Sequence, residues 1–553
     1  MTARKFLLML PALALLTSAC GAGENDSPQP VVNSFRSQAA IVVRGQSTLL
    51  QWDVKEADHL SIQPGIGVVS GASVSVSPST TTTYTLVAGR GAVQVSKQVT
   101  VDVIENITLP PNSAYFSVDG KPQFITLRNT VGRSMDEYSA LFDKARKEGT
   151  RIIRVHLSHA PWGMGYDAQG KVDPSWLANW DQLLDQAARA HLYVIPVFSV
   201  WADWNDGSNG EAWHVWNLNP MNVANGGTAT SPMALFQTGS KTQTLWFTWL
   251  GSVVQHWSTR PNMLAWESFS ELDLATGASE ASSVAFAQSA ATVIRQADAA
   301  HRPVTTSLGG SWNRWPSLYA GTAVDIVQIH AYGPYADLDA TVLSSLPQAR
   351  AYNKAVLIGE SGMDFNAPDG STLTTQTQGV LGTRNAAWAE LVSGAANGRA
   401  LWWEDGYAIA QNGAPSVGFV MNYAAVEAPV LALTAPLDFT AMQPLAATAS
   451  TTVLGGVIGN ANAAVGWYRS LQCGRNGRFP PDAGPWDCTS AVSNANVTLQ
   501  LAGSAVRWTA AFYDPATGQP VGMPTTVSAS GNRVGLLLPT FAGAIAFKLT
   551  PAS

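Results

Sequence analysis

The arrangement of hydrophobic and polar positions changes character several times along the chain. Phe6 to Leu16 is an unbroken apolar run apart from Pro11, preceded by Arg4 and Lys5. It is shorter than the roughly 20 residues a membrane span requires. From 31 to 105 short runs alternate apolar and polar residues: Leu49 to Val54, Val74 to Val76, Tyr84 to Ala88 and Val95 to Val103. Turn residues separate them, so this stretch predicts an all-β sandwich. From 106 to 429 the rhythm becomes one of short apolar strands followed by helical patterns. Strands are predicted at Phe124 to Arg128, Ile152 to Leu157, Tyr193 to Phe198, Met263 to Phe269, Val304 to Ser307, Ile326 to His330, Ala355 to Gly359 and Ala400 to Trp403. Runs this short and this apolar suit strands buried on both faces. Helices are predicted at Trp176 to Ala190, Gln243 to Trp257, Ser279 to Ala299 and Thr377 to Ala395, and Ser134 to Glu137 spells a capping box before another. From 430 to 553 strand-like runs return at Ala463 to Tyr468, Val497 to Leu501, Val506 to Tyr513, Val534 to Leu538 and Ala544 to Leu549, predicting a second β-sandwich.

Eight βα units in the middle of the chain predict a (β/α)₈ barrel. An open doubly wound sheet is the alternative, but no GxGxxG or P-loop turn supports it. The length of 553 residues suits three domains of this kind. Hydrophobic residues make up 46% and charged residues 13%, which excludes a disordered chain or a coiled coil. The net charge is −6 with no block of like charge, so nucleic acid is not an expected partner. Cys20, Cys473 and Cys488 form no metal-binding spacing, and neither metal nor cofactor is expected. All but four of the 20 tryptophans (Trp52, Trp467, Trp486 and Trp508) lie in the barrel segment. Their flat faces suit the C–H faces of sugars, so a sugar-stacking surface is expected there.

Barrel chemistry collects at the carboxyl ends of the strands. Read in order, those ends carry Arg154 and His156, then Trp201 and Trp204, then Trp266-Glu267-Ser268-Phe269-Ser270-Glu271, then His330-Ala331-Tyr332, then Gly359-Glu360, then Trp402-Trp403. Glu271 and Glu360 each follow an apolar strand directly and should face the barrel mouth. A pair of carboxyl groups is what glycoside hydrolysis needs: one protonates the departing oxygen, the other attacks or activates water. A carboxylate beside a cation such as Arg154 stays ionised, whereas one in an apolar setting keeps its proton. Glu267 reads as a structural carboxylate, His330 as a hydrogen-bonding histidine, and His156 and His159 as loop or groove residues.

The order Trp266-Glu267-x-x-Ser270-Glu271, His330-x-Tyr332, Gly359-Glu360, Trp402 resembles glycoside hydrolase clan A, near the cellulase and β-mannanase family. The resemblance implies a retaining β-glycosidase acting on a polysaccharide or oligosaccharide, with Glu271 as acid/base and Glu360 as nucleophile. It implies that Arg154 and Tyr332 contact the nucleophile, and that Trp402, or Trp403, floors the central sugar site. His330 and Trp201 are expected to bind substrate. Family members usually have Asn where this chain has Ser270, the residue expected at the sugar 2-hydroxyl. That departure keeps a second reading open, a glycan-binding protein without catalysis. A transglycosylase using the same residues is a third. A monomer is expected.

Ser77 to Tyr84 resembles the strand start of bacterial immunoglobulin-like modules, and the closing domain resembles the small β domain that accompanies clan A barrels. Cys473 and Cys488 are expected to pair, as exported proteins permit. Leu15-Leu16-Thr17-Ser18-Ala19-Cys20 resembles a bacterial lipoprotein signal. This implies a signal peptide over 1–19, a lipidated Cys20, a flexible tether over 20–30, and an exported protein anchored to the cell envelope. Cys20→Ser should therefore release the protein from membranes or abolish processing. Unchanged membrane fractionation and unchanged incorporation of labelled lipid would refute the anchor.

Overall fold

A computed structural model describes residues 28–552 except 160, 212, 310, 334–337, 364–375, 399, 403–404, 406, 408–420 and 475–486. The signal segment, Cys20 and Trp403 lie outside the described residues. The chain divides into two units, residues 1–40 with 47–101 and residues 41–46 with 102–553. In the first unit, Val31–Ser37, Thr48–Lys55 and Ser73–Val76 form one antiparallel sheet, with Phe35 opposite Trp52. A second sheet carries His59–Gln63, Gly67–Val69, Thr82–Arg90 and the strand that begins at Val93. Alternate positions of the strands are buried, Leu50, Trp52, Tyr84, Leu86 and Ala88 among them, so the all-β expectation holds for this segment.

The second unit contains the barrel. Leu127–Thr130, Ile152–His156, Tyr193–Val197, Trp266–Glu267 and Val304–Thr305 run parallel in that order. Ile326–Gly333 pairs in parallel with Ala355–Met363. Thr305 Oγ1 donates to the Ile326 carbonyl at 3.2 Å and bridges strands five and six. Among the described residues the eighth strand, predicted at Ala400 to Trp403, shows a parallel bridge between Ser361 and Leu401. A parallel bridge between Ile125 and Asn397 closes the ring. Eight helices accompany the strands among the described residues, from Met135–Lys147 to Tyr423–Thr434. The first opens with the predicted capping box of Ser134 and Glu137. The last overturns the boundary expected at 430: Val430 and Leu433 are buried and belong to the eighth barrel helix.

Inside the barrel the composition is graded. At the amino-terminal end Leu127, Ile152, Ile195, Ile326 and Leu357 pack with Ile107, Phe116 and Val118 into an apolar plug. The polar inward residues lie nearer the carboxyl ends. Most barrel tryptophans do not reach that mouth. Trp176, Trp180, Trp246, Trp249, Trp257 and Trp266 are at most 1% exposed, and Trp176 stacks on Trp257 with centroids 5.9 Å apart. The tryptophan wealth therefore reports chiefly on packing between helices and barrel, since large rings fill the wide gaps that small helix residues leave.

After Thr434 the chain forms a six-stranded antiparallel sheet (Gln443–Pro444, Val453–Gly459, Ala464–Ser470, Ala544–Pro551, Arg507–Tyr513, Thr525–Ser528, in spatial order). A three-stranded sheet of Ala447–Ala449, Asn496–Gln500 and Arg533–Leu537 shares a core with it through Val457, Tyr468, Leu499, Trp508 and Phe547. The large sheet packs on helix Gln376–Ser393, where a side chain at Gly456 would come within 3.3 Å of Val392. No described helix is long and apolar enough to cross a membrane. Cys473 and Cys488 are bonded, 15 residues apart in sequence. Replacing both with alanine should lower the stability of this domain by about 3 kcal/mol, the loop-closure value for a ring of that size. Calorimetry of the variant against the native protein measures it.

Candidate active site

Strands alternate their side chains, so every second residue near a carboxyl end points to the barrel axis. Asn129, Arg154, His156, Glu267, Ser307, Gln328, His330, Tyr332 and Glu360 arrive there from five of the first seven strands and from just beyond the end of strand five. Arg154 is fully buried at their centre. Its Nε and Nη2 donate to Glu267 Oε2 and Oε1 at 2.6 and 2.7 Å. Its Nη1 donates to Glu360 Oε1 at 2.8 Å and to Asn129 Oδ1 at 3.0 Å, and Nη2 also donates to Ser270 Oγ at 3.0 Å. Asn129 in turn donates to the carbonyls of Gly359 and Ala400, at 2.9 and 3.1 Å, and so joins strand one to strands seven and eight.

Glu360 is held from both sides. Tyr332 donates its hydroxyl to Oε2 at 2.8 Å, and His330 Nδ1 is 3.5 Å from the same atom. Burial pushes the Glu360 carboxyl up, but the His330 ring and the Arg154 guanidinium beside it outweigh that and hold the group well below the usual carboxylate range. Glu271 lies under the opposite influence. Burial raises it, the neighbouring Glu360 charge raises it further, and His330, 2.6 Å from Oε1, opposes both. Its net direction is upward. Burial lowers the His330 ring, yet the Glu360 and Glu271 charges prevail and raise it. Two carboxyls in one site are thus pushed apart, one towards the ionised and one towards the protonated form.

The backbone at Glu271 is strained. Its φ of 62° and ψ of 56° are left-handed, unusual for a glutamate, and its N–H donates to Ser307 Oγ at 3.0 Å. Gly309 makes room for it: a Cβ there would lie 3.0 Å from Glu271 Cδ. Such conformations persist where the surroundings over-determine them, and they cluster at functional sites.

The structure brings Glu271, Glu360, Arg154, Ser270, His330 and Tyr332 together. Trp402 lies beside them, 8% exposed, packed with Tyr332 and with its ring centroid 5.1 Å from His156. Of the loop and groove positions expected for it, His156 takes the groove: it is a buried residue at the end of strand two, 3.5 Å from Glu360, and burial lowers it to about 4. Trp201 is also 8% exposed and meets Trp213 edge-on, with ring centroids 5.5 Å apart, while Trp204 is fully buried packing. Trp213, 39% exposed, is the open ring of this group and leans on His159. Glu267 is structural, as expected, and Asp203 holds His159 at 3.1 Å. Asn129, Ser307 and Gln328 escaped the sequence reading. Gln328 was within reach, because it shares the period-two face of His330 and Tyr332.

Donor atoms of Glu271, His330 and Glu360 lie within 4.8 Å of one another. Both Glu360 oxygens already accept from Arg154 or Tyr332, so the cluster reads as a proton-handling site and not as a cation site.

A family model described as cellulase, glycosyl hydrolase family 5, matches residues 116–406. No curated protein matches the chain. Among solved structures, a glycoside hydrolase family 5 protein from Bacteroides vulgatus aligns with a TM-score of 0.54 at 11% identity, over 80% of this chain and 93% of its own. A structure named simply as a glycoside hydrolase aligns with a TM-score of 0.53 at 11% identity, over 81% and 97% of the two chains. Likeness at this level of identity speaks for a common fold.

The Arg154–Glu267 pair is buried on both sides. Glu267→Ala should therefore destabilise the protein by about 3–5 kcal/mol, because it leaves a guanidinium in the interior short of a partner. Urea unfolding gives the value, and a loss under about 1 kcal/mol would show that water or Glu360 takes over the charge.

Proposed function

The chain belongs to the cellulase family, glycosyl hydrolase family 5, and on that premise we propose that it cleaves β-glycosidic bonds with retention, using Glu360 as nucleophile and Glu271 as acid/base. The observation that carries this reading is the opposed tuning of the two carboxyls. Arg154 and Tyr332 keep Glu360 ready to attack, while Glu271 sits buried with its proton favoured. An oxygen of each lies within 4.8 Å of the other, compatible with the ~5–5.5 Å carboxyl spacing of double displacement and short of the ~6.5–9.5 Å that leaves room for an inverting water.

In the first step a Glu360 oxygen bonds to the anomeric carbon as the glycosidic C–O bond breaks. The departing oxygen takes the Glu271 proton. In the second step Glu271, now a carboxylate, takes a proton from water, and the oxygen of that water displaces Glu360 from the anomeric carbon. Activity rises with pH as Glu360 ionises and falls as Glu271 loses its proton. Trp402 lies against Tyr332 and supports the reading of a floor beneath the reacting sugar. Ser270 Oγ accepts from Arg154 at 3.0 Å and lies 3.5 Å from Glu360 Oε1, so it braces the guanidinium in addition to any contact with a 2-hydroxyl. A binding-only relic would have no use for this tuning. We also infer that the module before the barrel is an immunoglobulin-like spacer, and that the protein is exported and lipid-anchored, acting as a monomer on a polysaccharide or oligosaccharide.

Glu271→Ala should lower turnover of substrates with poor leaving groups by about 10²–10⁴-fold. An activated aryl glycoside should still load Glu360, and azide, which needs no base, should restore turnover and yield a β-glycosyl azide. Glu360→Ala should form no ester with any substrate. Peptide mass spectrometry that maps the trapped sugar to another residue, or a first product of inverted configuration, would overturn the assignment.

A further inference from the structure

Gln328 is fully buried and has no part in the chemistry above. It precedes His330 by two residues on strand six and shares its inward face. Its Nε2 is 2.9 Å from Glu267 Oε1 and 3.3 Å from His330 Nε2. Both Glu267 oxygens accept from Arg154, so the carboxylate faces Gln328 as an acceptor. The amide must therefore present its NH₂ and not its oxygen, and Oε1 meets no donor among the described residues. The amide is also packed in place, since a Cβ on Gly359 would lie 2.5 Å from Gln328 Cδ. An NH₂ group donates and does not accept. The His330 nitrogen facing it must then be bare, with the ring proton on Nδ1, 2.6 Å from Glu271 Oε1.

We propose that Gln328, oriented by Glu267, is a positioning residue that keeps His330 neutral and protonated at Nδ1, so that the proton for the leaving group stays on Glu271. The proposal rests on Glu271 being the acid. The charges facing the ring pull in several directions. Glu271 just after strand four and Glu360 on strand seven favour an imidazolium, and Asp273 adds negative charge beside Glu271. Arg154 on strand two opposes it. His156 on the same strand is neutral near pH 7 and Tyr332 spends its hydroxyl on Glu360. The amide decides between them, because an imidazolium would set its Nε2–H against the Gln328 NH₂, donor to donor. With Glu271 as the acid, an imidazolium would also draw on the proton that Glu271 must keep for the leaving group. A neutral ring instead donates Nδ1–H to Glu271 Oε1, leaving Oε2 to carry the proton to the departing oxygen.

The ring state is measured by ¹⁵N NMR of the full chain labelled at its eight histidines, with the His330 signal assigned by its loss in His330→Gln. At pH 7 the native protein should show a protonated Nδ1 and a bare Nε2. Gln328→Met keeps the volume and removes the donor, and should raise the pH at which His330 titrates by roughly one unit, equivalent to about tenfold in its protonation equilibrium. In the same variant kcat/KM on a glycoside with a sugar or alkyl leaving group should fall about tenfold, a part of the general-acid contribution, while loading by an activated aryl glycoside changes less than about twofold. An imidazolium or an Nε2-protonated ring in the native protein at pH 7 would overturn the proposal. So would an equal loss on both substrates in Gln328→Met, which would mark a purely structural residue. Failure of the acid/base assignment itself appears separately, in the azide and adduct experiments, and leaves the ring measurement readable.

Discussion

A guanidinium with no access to water is the constraint around which the barrel mouth is organised. Arg154 cannot shed its charge, so burial obliges the fold to surround it with acceptors in the plane of its fork. Glu267 takes two prongs, and Glu360, Asn129 and Ser270 share what is left. Glu267 is tied to Arg154 by geometry that leaves the guanidinium little freedom. The charge is thereby delivered to Glu360 at a fixed place, and the same contact that satisfies the arginine favours the ionised carboxylate. The fold and the charge state of the mouth rest on one group, so a change at Glu267 reaches Glu360 through Arg154.

The barrel multiplies the effect of that anchor. Each strand contributes at most a few inward residues, so the site is assembled from groups on several strands. Strand six offers Gln328, His330 and Tyr332 on one face, and each meets a different partner: Glu267, Glu271 and Glu360 respectively. A single strand therefore reads all three carboxylates and spaces them. The regularity of the strand fixes the order, and close packing keeps the alternatives from being occupied.

Local compromises occur where the carboxyl groups are placed. Glu271 adopts a left-handed backbone, and Gly309 yields the space its side chain needs. The pairing of strands six and seven slips between Ile329 and His330, so that His330 faces Glu360 while Gly359 falls out of register. The bare Gly359 Cα then leaves a bed for the Gln328 amide. Both irregularities sit beside a carboxyl group of the barrel mouth. Regular pairing would have turned Glu360 to the other face of the sheet.

The linear chain by itself determined the parallel barrel with its β flanks, the paired glutamates at the ends of strands four and seven, and the arginine and tyrosine that serve them. These are written in local terms: an apolar run, its period and the residue that follows it. It also marked the disulfide, since Cys473 and Cys488 lie 15 residues apart in one β domain. What only the tertiary structure decided depends on distance across the barrel. The tryptophans looked like a sugar surface and are mostly core, because sequence shows an aromatic residue but not which side of the wall it fills. The eighth helix ran past the expected boundary because its last turns are buried by neighbours far off in sequence. The opposed tuning of Glu271 and Glu360, and the link from Arg154 through Glu267 and Gln328 to His330, join residues up to 206 positions apart. Coulomb forces and hydrogen bonds act over a few ångströms, and only the closed barrel brings those groups that near.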